Sequence, residues 1–151
     1  MSDLYEADIT LWSERQAALL RRWAAGELVN DAELDWTNIA EEIESMGRSE
    51  RDRLTNRLAV LLAHLLKWRH QPGHRGNSWR LTILEQRRRA EKLLARNTSL
   101  RPRLDDLLAE TYADALLIAE RETGLPGGAF PETCPWTFDE AMRGDFLTWA
   151  P

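Results

Sequence analysis

Leu54, Leu58, Leu61, Leu65 and Trp68 recur at alternating intervals of four and three residues. That spacing is a two-heptad apolar seam, the pattern of a helix that lies against another helix. Leu62 and Leu66 widen the stripe. A helix over residues 49–70 is therefore expected to be central and to touch more than one neighbour, about 33 Å long at the standard helical rise. Ser49-Glu50-Arg51-Asp52 ahead of it carries a weaker form of the capping box, with Asp where Glu is preferred.

Every other long segment also repeats with helical period, and none alternates with period two, so the fold class is all-α. A first helix is expected over residues 8–25, with Ile9, Trp12, Gln16, Leu19, Leu20 and Trp23 on one face and Gly26 as its stop. A second, over residues 35–46, has Asp35 as N-cap, Trp36, Ile39, Ala40, Ile43 and Met46 as its inward stripe, and Gly47 as its end. After the central helix, the Pro-Gly turn at residues 71–76 leads to a fourth helix, capped by Asn77 or Ser78, to about residue 96. A fifth runs from Ser99 to Thr123 with Pro102 in its first turn and Gly124 after it. Thr137-Phe138-Asp139-Glu140 caps a last short helix that ends at Gly144. The tail over residues 125–151 holds Phe130, Trp136, Phe138, Phe146 and Trp149, too many aromatics for a free segment, and is expected to pack on the bundle. At 151 residues the expectation is one domain, a bundle of five main helices plus the short C-terminal one.

Charge is distributed unevenly. Residues 48–103 hold fifteen of the twenty Lys and Arg and only four of the twenty-five acids, a local net charge of +11. Such a split either matches helix to helix within one fold or makes a surface for an anionic partner. No apolar run approaches the roughly 20 residues that span a bilayer, so no membrane role is expected. The opening residues lack the basic-then-apolar pattern of a signal peptide, and the lone Cys134 cannot form an internal disulfide, which together point to the reducing cytoplasm.

Three chemistries have candidate residues. Glu41 and Glu44, three apart, and Glu110 and Asp114, four apart, are carboxylate pairs of the kind that hold a hard divalent cation, Mg or Mn. Facing each other they would resemble the acidic cage of all-α nucleotide pyrophosphohydrolases, although one residue too many separates Glu110 from Asp114. His64, on the shoulder of the seam, is the candidate for proton transfer, and Arg87 and Arg88 are candidates for holding phosphate. Against these stand plain alternatives: acids paired with basic helices, and a histidine satisfied at the core edge. The Arg-rich segment, with Trp68 and Trp79 nearby, is the material for binding a nucleic-acid backbone and stacking its bases, although a pI near 5.3 speaks against it. No Gly-rich phosphate loop, nucleophile elbow, CxxC or HExxH is present.

Several blocks carry a family resemblance. They are Ile39-Ala40-Glu41-Glu42-Ile43-Glu44-Ser45-Met46-Gly47-Arg48-Ser49-Glu50-Arg51, Leu61-Leu62-Ala63-His64-Leu65-Leu66-Lys67-Trp68, Ser78-Trp79-Arg80, Glu85-Gln86-Arg87-Arg88, Thr123-Gly124-Leu125 and Phe130-Pro131-Glu132-Thr133-Cys134-Pro135. In this order the chain resembles the bacterial "domain of unknown function 29" family. The resemblance implies a compact helical protein and brings no activity, cofactor or catalytic residue. The leading expectation is a small helical interaction or regulatory module that binds a protein partner or itself. The alternatives are a metal-dependent hydrolase of phosphorylated small molecules and a nucleic-acid-binding protein.

Overall fold

A computed structural model describes residues 2–149, and among these every regular element is helical. Six α-helices follow in order: α1 Ser2–Ala7, α2 Ile9–Ala24, α3 Trp36–His70, α4 Asn77–Ala95, α5 Leu104–Thr123 and α6 Phe138–Arg143. The all-α class and the short C-terminal helix are as expected. Short 3-10 turns fill most of the connections, including Asp31–Glu33 ahead of α3 and Thr98–Arg103 ahead of α5. The latter replaces the expected first turn of the fifth helix. Pro102 has no N–H to donate and disfavours the α conformation at Arg101, so the chain enters α5 only at Leu104.

The largest departure lies at Gly47. Two helices were expected either side of it, and α3 instead runs unbroken through it for 35 residues. A glycine stops a helix by turning left-handed. Gly26 and Gly124 do this, with φ of 83° and 73°, and Gly47 does not. Arg48 holds both Glu41 (2.8 Å) and Glu44 (3.8 Å) across the preceding turns. These contacts offset part of the roughly 1 kcal/mol that a helical glycine costs relative to alanine.

Packing divides the chain into two compact units, Met1–Ser49 and Glu50–Pro151. In the second, the leucine seam lies at the centre as its spacing demands. Leu54, Leu58, Leu61, Leu62, Leu65 and Leu66 are all fully buried. Ile83, Ala90 and Leu94 of α4 and Leu107, Leu108, Tyr112 and Ala115 of α5 belong to the same core. The aromatic tail joins it: Phe146 meets Trp68 edge-on with ring centroids 5.1 Å apart, Trp149 stacks on Trp136 at 5.2 Å, and the Tyr112 hydroxyl donates to Pro131 O at 2.6 Å. α6 begins on the capping box read from the sequence, with Thr137 and Glu140 each bonded to the other's backbone N–H.

The Met1–Ser49 unit is built differently. Its buried hydrophobic residues are Trp12 and Leu34, and around them lies a polar network. The Asp35 carboxylate accepts from Asn38 Nδ2 (2.8 Å) and Trp12 Nε1 (3.0 Å), and its backbone N–H donates to Gln16 Oε1 (2.9 Å). The bonds from Asn38, foremost, and Trp12 hold the Asp35 carboxyl below the usual range against the opposing effect of burial. Tyr5 of α1, a helix not foreseen, packs edge-on against Trp12 and donates its hydroxyl to Glu42 at 2.6 Å. The expected inward stripe of α3's first half is therefore corrected. Glu42 is tied to Tyr5 and Trp36 Nε1 to Asp31 (2.9 Å), while Trp36, Ile43 and Met46 are exposed.

Candidate anion-binding groove

Two helices of the second unit shape a cleft of about 540 Å³ that is open to solvent. On α3, Leu54 and Leu58 point into the core, so their neighbours Arg53 and Arg57 stand on its shoulder, one turn apart. On α4, Ile83, Gln86, Ala90 and Leu94 are buried, which turns Glu85, Arg88, Arg89 and Lys92 outward, and Arg96 follows at its C-terminal end. Six cations and one acid thus line the cleft, with Leu93 as its apolar wall.

Ion pairing neutralises only part of this. Glu85 holds Arg89 at 2.6 Å. Glu50, nearly buried, holds Arg96 at 3.1 Å and lies 3.9 Å from Arg53, while Asn97 Nδ2 donates to it at 3.3 Å. Arg57, Arg88 and Lys92 form no salt bridge among the described residues. Like charges held this close repel one another, and an anion entering the cleft relieves that repulsion. The guanidinium and ammonium groups gathered here offer positive charge and N–H donors to an anion.

Of the anion-binding pair read from the sequence, Arg88 lines this groove and Arg87 does not. Arg87 faces the C-terminal segment: its Nε donates to Ala141 O (2.9 Å), its Nη2 to Gly144 O (2.8 Å), and its guanidinium lies 5.1 Å from the Phe146 ring. Burial pushes its pKa down. Arg87 is a clamp on the tail, since one carbonyl lies in the last turn of α6 and the other just after it, where helical N–H donors run out.

The two carboxylate pairs belong to different units. Glu41 and Glu44 lie in the first unit and share Arg48. Glu110 and Asp114 lie in the second, where Glu110 pairs with Arg51 at 3.1 Å and Asp114 is exposed. Among the described residues no three His, Cys, Asp or Glu side chains in either unit gather to hold a metal ion.

His64 is half-buried, and its Nδ1–H donates to Val60 O at 2.9 Å, one turn back on α3. Desolvation holds its pKa below the ordinary 6.5, and Lys67 adds to this. Burial likewise lowers His70. A histidine whose folded pKa is depressed binds its proton more readily in the unfolded chain. Stability is therefore complete above about pH 6.5 and declines as pH falls from there through the folded pKa. His64→Gln is expected to flatten the dependence of unfolding free energy on pH between 7 and 5, measured by urea denaturation. An unchanged slope would mean that His64 is not buried as described.

The two tryptophans that suggested base stacking are committed elsewhere. Trp68 is in the core, and Trp79 is half-buried with the Lys67 ammonium 4.6 Å from its ring centroid. Lys67 is itself buried and pairs with Glu122 at 2.7 Å. Arg53 and Arg57 were not singled out from the sequence. The available signal was their four-residue spacing one position ahead of Leu54 and Leu58.

A comparison with curated proteins and one with solved structures each found no match. No described helix is long and apolar enough to cross a membrane. The family model for "Domain of unknown function DUF29" matches residues 4–147, nearly the whole chain, and the chain belongs to that family.

Proposed function

We propose that this chain is a non-catalytic binding module that takes an acidic segment of a partner protein in the α3–α4 groove. The observation that carries this reading is the clustering of Arg53, Arg57, Arg88, Arg89, Lys92 and Arg96 around one open cleft with a single acid in its wall. No aromatic side chain lines the cleft, so it offers charge and a leucine wall and no platform for bases. A protein carrying net charge −5 also repels a long polyanion outside the groove, which favours a short acidic segment over nucleic acid.

The test is a titration of the chain with a fluorescein-labelled peptide of ten residues, mostly Asp and Glu, beside a single-stranded oligonucleotide of equal charge. The peptide is expected to bind more tightly, with affinity falling as salt screens the groove. Tighter binding of the oligonucleotide would assign the groove to nucleic acid. Binding of neither at low salt would remove the reading.

A further inference from the structure

The first unit carries a second face, opposite in charge to the groove and independent of it. Trp36, Ile43 and Met46, on the first three turns of α3, are 43%, 64% and 65% exposed. With Ala40 and Gly47 they form one stripe, because positions 36, 40, 43 and 47 follow a four-three-four spacing. Trp23 of α2, 59% exposed, extends the stripe by meeting Trp36 edge-on at 5.9 Å. Large and small residues alternate along it, and nothing lies within 4 Å of where a Cβ on Gly47 would stand. The stripe is therefore a row of knobs and holes about 15 Å long at the helical rise.

An apolar side facing out while a polar side faces in reverses the usual arrangement of a surface helix. Glu42 accepts from Tyr5 on α3's other side, and at the start of the stripe Trp36 is held by its own Nε1–H, which donates to Asp31 at 2.9 Å. Six of the ten large hydrophobic residues exposed among the described residues lie in this third of the chain. A contiguous apolar patch of this kind on a small unit with so little core marks an interaction surface.

Charge identifies the occupant. Residues 1–49 hold eleven acids against four arginines, net −7. Glu41 and Glu44 stand exposed along one flank of the stripe, where Arg48 alone among the described residues pairs with them. A second copy would bring −7 against −7, whereas a cationic partner meets both the apolar stripe and its acidic rim. We propose that the Trp36–Ile43–Met46 face docks a basic amphipathic helix of a partner protein, three to four turns long, by the helix-in-groove mode.

The probe is a labelled fifteen-residue peptide of leucine and lysine with leucines at i, i+3, i+4, i+7 and i+8, beside an isomer of the same composition with the leucines scattered. The full chain is expected to bind the amphipathic peptide at least tenfold more tightly than the isomer. Ile43→Asp and Met46→Asp should each weaken it at least tenfold with unchanged circular dichroism, since both side chains are already exposed. Arg57→Gln/Arg88→Gln/Lys92→Gln should bind it as the parent chain does, which separates this face from the groove. Equal binding of the two peptides, or undiminished binding by Ile43→Asp, would overturn the proposal. So would a dimer in sedimentation that Ile43→Asp dissolves, because that assigns the face to a second copy.

Discussion

Replacing Arg57, Arg88 and Lys92 together with glutamine is expected to weaken binding of an acidic peptide by roughly 3- to 150-fold. These are the groove cations that no carboxylate among the described residues neutralises. A partly exposed ion pair contributes about 0.2–1 kcal/mol, so three lost pairs correspond to about 0.6–3 kcal/mol of binding free energy. The same substitutions remove mutual repulsion between α3 and α4. Thermal stability should therefore stay constant or rise slightly, and a drop in affinity cannot be ascribed to unfolding. The complementary substitution, Arg87→Gln, should leave peptide affinity intact and lower stability by about 1–3 kcal/mol, because it strips donors from Ala141 O and Gly144 O. Opposite outcomes from two adjacent arginines, read by anisotropy and by urea unfolding, are what distinguish a binding surface from a charged scaffold.

Leu61→Ala is expected to destabilise the second unit by about 2–5 kcal/mol, the range for a fully buried leucine truncated in a packed core. In a unit of about a hundred residues that corresponds to a fall in midpoint of roughly 10–30 °C. Leu61 is wholly enclosed among helices and tail and is replaced by a cavity that its neighbours fill only in part. Leu117 of α5 is exposed, and Leu117→Ala should change stability by no more than about 0.5 kcal/mol. Equal effects from the two would contradict the placement of the seam.

The seam was legible because a 4-3-4-3 repeat of leucines has few structural outlets, and the tail because five aromatics cannot remain in water. What a single stripe does not specify is the neighbour it serves. Ile43 and Met46 repeat with the same period as Leu58 and Leu61, yet one set is exposed and the other buried. The difference arises in part from Glu42, whose partner Tyr5 comes from another helix, 37 residues away in the chain. The break expected at Gly47 failed for a related reason: a glycine permits a left-handed turn without requiring one. The site was half legible. Arg88 and Arg87 differ by about 100° around α4, enough to send one side chain to the groove and the other to the tail. No local signal separates them, since the decision lies with Ala141 and Gly144 more than fifty residues later. Arg53 and Arg57 read as ordinary solvated positions until α4 sets Arg88 and Lys92 across from them.

The most direct test of the groove is a two-dimensional nitrogen–proton spectrum of the labelled chain, recorded as the acidic peptide is added. The expected result is a set of progressive shifts confined to α3 around Arg53 and Arg57 and to α4 from Glu85 to Arg96, reversed by raising the salt. Shifts centred elsewhere, or an unchanged spectrum at a peptide excess and low salt, would contradict the assignment of this cleft as the binding site.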